Sequence, residues 1–329
     1  MQHRQAALEE AEFLLQVLPQ DETDALYLDL AVIHHVVTLL TGQPTLDRII
    51  IPVYDVGPGR SWRHQERYLP STAGRLPVHL VFMDRGQEPD LRAYVWLVHE
   101  LVHVVLARYL HLFAEGRRLA AQRVQEWRLA GLASDDPASE QLAAEFSRYW
   151  SPGHDQEDWP HEIVVDTICM LLLGPAYAEA LHHHYREVAA NVPAYLIEPS
   201  HIPLELRTRA MIRMGEHLGW GSVMQPLREL QSAWEQQWPE AARASRYRAL
   251  RDDELIWEAQ RAALAFCEDR QLRRLTPGLL ATITEASDNV ESLEGIELII
   301  AAWWVGREVS DDEYRAWGAR AVRGYADHA

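Results

Sequence analysis

The sequence predicts a mainly α-helical protein with one small β-sheet. Three observations lead there. Apolar residues recur at helical spacing through the first forty positions and again beyond Pro89. Short β-rich runs bounded by Gly, Pro and Asp are confined to the region between Arg48 and Gly86. Between them and the helical remainder, Ala93 to Ala107 reads AYVWLVHELVHVVLA, apolar on every side, as a helix in a protein interior is. The chain has 329 residues, 48% of them apolar, which is enough to bury a substantial core in one large or two ordinary domains.

In chain order, Gln5 to Leu40 reads as helix, with Asp21 or Thr23 as a cap and Gly42 and Pro44 as the stop. This gives an N-terminal helical segment, 1–45. The β region, 48–86, contains IIIPVYDVGPG and PVHLVFMDRG, expected as two strands joined by a long loop. The apolar helix is expected over 91–112. The polar stretch from Gly116 to Asp158 suggests one or two surface helices and a loop inserted between buried helices. Pro160, suited to a first turn because its missing N–H is not needed there, opens a second buried helix over 160–173. A central domain, 46–225, then gives way to a C-terminal helical region, 226–329, interrupted at Thr276-Pro277 and around Asp288.

Charge narrows the function classes. With 31 basic and 49 acidic residues the net charge is −18, a field that repels nucleic acid and anionic membrane surfaces. No stretch reaches the roughly eighteen uncharged apolar residues of a membrane span. The acidic, amphipathic MQHRQAALEEAEFLL lacks the pattern of a signal peptide. Cys169 and Cys267 are too few for a disulfide scaffold. The expectation is a soluble cytoplasmic protein with no nucleic-acid partner and no membrane span; its oligomeric state is left open.

The chemistry is concentrated in the only interruptions of the apolar helix, His99, Glu100 and His103, which form the pattern HExxH. A buried imidazole or carboxylate without a partner costs a few kcal/mol, so something must compensate all three. Residues four apart share a helix face, so His99 and His103 can direct two ring nitrogens at one zinc ion, with Glu100 beside them to hold a water. The ordinary alternative is two core histidines satisfied by backbone or neighbouring side chains. A third ligand comes from HEIVVDTICMLLLGPAY, where Glu162 and Asp166 also lie four apart. Glu162 completes a three-ligand set with the fourth position left for water, and Asp166 accepts the second ring N–H of a ligating histidine. The alternative for Glu162 is an acid complementing the helix dipole.

HELVH followed about sixty residues later by Glu-x-x-x-Asp resembles the gluzincin metallopeptidases, in particular the family of the CAAX prenyl proteases and HtpX. Ser200-His201-Ile202-Pro203, with Arg207 four residues after the proline, resembles that family's Ser/Thr-His-Pro-Pro element, although Ile202 replaces the first proline. Val165 also stands where a small residue usually precedes the Asp. The resemblance spans about 91–214 and implies a zincin-like metallopeptidase core within 46–225, flanked by additional N- and C-terminal helices. It makes His201 and Arg207 candidates for a transition-state or structural role, against a loop histidine and a solvated arginine as the bland reading. The named relatives carry transmembrane helices and this sequence has none, so their substrates are not implied.

The resulting expectation is a soluble zinc-dependent peptidase acting on a protein or peptide. Zinc would acidify a water and polarise a peptide carbonyl. Glu100 would serve as general base, and His201, Tyr177 or, as a weaker candidate, Tyr185 would donate to the oxyanion. In zincins an edge strand before the active helix commonly binds extended substrate, which makes Val78 to Met83 a candidate for pairing with a peptide, or simply core. A zincin-like binding or regulatory module, inactive or latent, is the competing reading. Glu100 leans towards catalysis, because a purely structural zinc site needs no base. His182, His183 and His184 are adjacent on a helix and cannot jointly chelate one ion; His34 and His35 read as core.

Overall fold

The computed structural model describes residues 24–42, 49–55, 63–71, 74–84, 90–134, 137–151, 159–189, 193–197, 202–237 and 245–328. The chain divides into two compact units, Met1–Ala107 with Leu275–Ala329, and Arg108–Arg274. Both units are mainly helical.

The first unit begins with α1 (Asp24–Thr41), whose Leu28, Val32, Val36 and Leu40 are wholly buried at helical spacing. Gly42, at φ +68°, closes it by donating to the Thr38 carbonyl, the left-handed cap expected of that glycine. The expected cap at Asp21 or Thr23, and the rest of the helical preface before Asp24, lie outside the described residues.

The β region differs from expectation. It holds three strands, β1 (Ile49–Asp55), β2 (Arg63–Ser71) and β3 (Gly74–Asp84), in the order β1-β3-β2. β1 runs parallel to β3 with Ile49 opposite Val78, and β2 runs antiparallel with Arg67 opposite the same residue. β2 occupies what was expected to be a long loop. Its sequence, RHQERYLPS, has no apolar alternation, so the strand is specified by pairing with β3 and not by its own pattern. The proposed peptide-binding strand, Val78 to Met83, is therefore central. Its backbone already pairs on both sides, which removes it as a place for substrate to add. Pro52 and Pro70 fall in the outer strands, where a missing N–H is tolerated.

A 3₁₀ turn (Leu91–Ala93) leads into α2 (Tyr94–Leu106), the apolar helix of the sequence, shorter at both ends than the expected 91–112. Asp90 starts it, accepting from the Arg92 backbone N–H at 3.0 Å. α2 packs against α1, β2 and β3, and twelve of its thirteen residues are buried. The unit is completed by α11 (Pro277–Ala286), α12 (Ile296–Glu308) and α13 (Asp311–His328); α12 and α13 both pack on α1. Gly295 precedes α12 at φ +48°, and a Cβ there would lie 2.3 Å from His35 Cγ, so only glycine fits.

The second unit is entirely helical among the described residues. A 3₁₀ turn (Leu110–Phe113) enters α3 (Ala114–Ser134), which pairs with α4 (Pro137–Trp150), the pair anticipated as surface helices. α5 (Trp159–Leu173) is the second buried helix, with fourteen of fifteen residues buried. Gly174, at φ +52°, ends it so that α6 (Pro175–Ala189) follows at once. α7 (Leu204–His217), α8 (Gln225–Gln237), α9 (Ser245–Leu250) and α10 (Asp253–Asp269) follow, and α5 is packed by α10, α7, α6 and α4. The region expected as one C-terminal segment, 226–329, thus divides: 226–274 belongs to the helical unit and 275–329 returns to the first. Among the described residues no single helix is long and apolar enough to cross a membrane.

Candidate metal centre

Buried polar groups interrupt two otherwise apolar helices, α2 and α5. On α2, His99, Glu100 and His103 are 6%, 8% and 5% exposed. One helical turn separates the histidines, and their rings meet edge to face with Nε2 atoms 3.1 Å apart. Two ring nitrogens at that distance either share one proton or turn both lone pairs on a single cation. Trp96 packs edge-on against His99, with ring centroids 6.1 Å apart.

On α5, Glu162 occupies the first turn and is 5% exposed; Asp166, a turn later, is wholly buried. Arg207 reaches them from α7. Its Nε and Nη2 both donate to Asp166, Nη2 at 2.6 Å from Oδ1, while Nη2 also lies 3.4 Å from Glu162 Oε2. Such bidentate, charge-assisted pairing is what a desolvated carboxylate requires. Burial opposes the Arg207 charge, but Asp166, Tyr185 and Glu162 outweigh it and hold the guanidinium pKa well above its ordinary value. The Tyr177 hydroxyl donates to Asp166 Oδ1. Burial and then the neighbouring Asp166 charge push its pKa well above that of a free phenol, so it stays a donor.

His99, His103 and Glu162 each offer a ligand atom, and these atoms all lie within 4.8 Å of one another; the group could hold a metal ion.

The remaining expectations fall out unevenly. Asp166, expected to accept from a ligating imidazole, is held by Arg207 and Tyr177. Arg207 is 9% exposed and ion-paired, so the reading of a solvated helix-start arginine does not hold. Tyr177 has committed its one hydroxyl proton to Asp166. Tyr185 is wholly buried, and its hydroxyl has no hydrogen-bond partner among the described residues. His201 lies outside the described residues. His34 is exposed and, with half-buried His35, lines a cavity of about 590 Å³ alongside Glu291 and Glu294, so these two are not core histidines.

Two wholly buried carboxylates among the described residues escaped sequence reasoning. Asp29, wholly buried in α1, accepts from the Tyr94 hydroxyl of α2. Glu205, wholly buried in α7, accepts from Arg209 at 2.5 Å, Gln231 at 3.1 Å and Tyr247. The signal for Asp29 was present: one acid inside the apolar run LYLDLAVI. Glu205 follows Pro203 in a helix start, where an acid is unremarkable, so nothing local marked it.

No family model, curated protein or solved structure matches the chain.

Proposed function

We propose that the protein is a zinc-dependent peptidase in which His99, His103 and Glu162 hold the metal and Glu100 is the general base. The observation that carries the reading is the gathering of two imidazoles and one carboxylate, all buried, with ligand atoms within 4.8 Å of one another. Two nitrogens and one oxygen form a donor set that suits zinc, and three protein ligands leave a coordination position open, as in catalytic and not structural sites. Bound there, zinc supplies Lewis-acid chemistry, acidifying a water and polarising the scissile carbonyl.

The chain's own groups do the rest. Glu100, adjacent to His99 on the same helix and 8% exposed, takes a proton at its carboxylate and delivers it to the departing amine. Arg207 restrains Glu162 through its 3.4 Å contact while Asp166 neutralises the guanidinium. Tyr177 and the burial of all four groups keep this arrangement dry, which strengthens each charged contact. The resemblance of HELVH and the Glu-x-x-x-Asp element to the gluzincins supports the same assignment, and a peptide or protein is the substrate class it implies.

Digestion of an unbiased peptide library by the full chain tests the reading. Zinc-dependent cleavage is expected, and Glu100→Gln should retain the metal while losing about 10²–10⁴-fold in rate, the usual contribution of a positioned acid–base group. Cleavage that survives in Glu100→Gln at the wild-type rate would rule out the proposed role of this residue.

A further inference from the structure

The first unit holds a cavity of about 590 Å³ where α1 meets the 3₁₀ turn Val290–Ser292 and α13, and none of its lining residues belongs to the candidate metal centre. Ala31, His35 and Leu39, four residues apart, turn one face of α1 to it, while Leu28, Val32, Val36 and Leu40 face the core. Val290, Leu293 and Ala321 extend the apolar wall. The volume lies within the range of about 300–1,000 Å³ that small-molecule sites occupy.

Two glycines shape this space. Gly295 lets the turn that carries Glu294 approach α1, since any Cβ there would meet the His35 ring. Gly324 lies within α13, where glycine is a poor helix former, and a Cβ there would touch nothing nearer than Glu291 Cγ at 3.4 Å. Its missing side chain leaves the cavity open. The polar lining is acidic. Glu291 and Glu294 are exposed at the cavity, and among the described residues neither takes part in an ion pair or a side-chain hydrogen bond. No arginine is among the described lining residues. Burial holds the His35 pKa below the ordinary histidine value despite Glu294 and Glu297, so near neutral pH the ring adds an acceptor and no positive charge. Uncompensated carboxylates at the mouth of an apolar cavity, in a chain of net charge −18, concentrate cations there.

We propose that this cavity is a binding site for a small organic cation, an aliphatic amine whose ammonium is taken by Glu291 and Glu294 and whose stem is buried against the apolar wall. Each part of the ligand answers an observation. The stem replaces water on Leu39, Val290 and Leu293, and the ammonium gives the two carboxylates the counter-charge they lack. The inference does not depend on the metal centre.

The test titrates the full chain with hexylamine, hexanol and hexanoate in a calorimeter, three probes with one stem and different heads. Saturable binding of one hexylamine per chain is expected, about tenfold tighter than hexanol, with hexanoate the weakest. In the double variant Glu291→Gln, Glu294→Gln the amine should fall to the affinity of the alcohol, while hexanol binding stays as in the wild type. Gly324→Leu, which fills the cavity and improves the helix, should weaken hexylamine about tenfold or more without lowering the thermal midpoint. Ala31→Leu fills the same space from α1 and replaces that variant should it fail to fold. Hexylamine that does not saturate, or that binds no tighter than hexanol or hexanoate, would overturn the proposal. Wild-type hexylamine affinity in a folded filling variant, or in the double glutamine variant, would overturn it likewise.

Discussion

Among the described residues, Asp166 and Arg207 form the most deeply buried ion pair. The aspartate is wholly buried and the arginine 9% exposed, and the two are joined by a bidentate contact to which Tyr177 adds a third donor. A buried pair of this kind contributes little net stability over apolar residues of the same shape, but removing one partner strands the other charge. Asp166→Asn is therefore expected to destabilise the protein by about 3 kcal/mol, read from the shift of the denaturant midpoint at constant slope. A loss under about 1 kcal/mol would show that Arg207 finds another carboxylate, with Glu162 at 3.4 Å the nearest candidate. At this scale much of the candidate site was legible. His99, Glu100, His103, Glu162 and Asp166 each break an apolar pattern, and an ionisable residue in such a pattern announces a partner. What could not be read was the guanidinium that Asp166 meets: Arg207 lies forty-one residues away, and the identity of so distant a contact leaves no local trace.

Helices with strong periodicity were readable and their ends were less so. α2 was expected to run continuously from 91 to 112, yet it is entered through a 3₁₀ turn and ends at Leu106. Asp90 organises the entry. It caps the Arg92 N–H, receives the Arg92 guanidinium at 2.8 Å and accepts from the Tyr314 hydroxyl at 2.8 Å. Partial burial raises the Asp90 pKa, but the bonds from Arg92 and Tyr314 prevail and leave it below the ordinary carboxylate value. A carboxylate with a depressed folded pKa stabilises the fold above its unfolded value, about 3.9, and loses that contribution as pH falls through the folded value. Asp90→Ala should cost about 1 kcal/mol near neutral pH, the worth of a helix cap, and the difference from wild type should shrink in acid. A difference independent of pH would mean that the charge is irrelevant to the cap. Among the strands, β1 and β3 had apolar runs to betray them, whereas polar β2 did not, and missing it placed β3 at an edge it does not occupy.

The whole molecule shows the limit of local patterns most clearly. Periodicity assigned helix to 275–328 but gave no sign that α12 and α13 leave the preceding helices and bury their apolar faces on α1, some 260 residues earlier in the chain. A metal held by His99, His103 and Glu162 would stabilise the native state that gathers them. Ligand binding of that kind raises the unfolding midpoint with free-ligand concentration. The central claim is the metal centre, and metal content of the purified chain, measured beside Glu162→Ala and Glu100→Gln, tests it most directly. The account predicts about one zinc per chain in the wild type and in Glu100→Gln, with clear loss in Glu162→Ala. A metal-free wild type under zinc-replete conditions, or full zinc retention by Glu162→Ala, would contradict it.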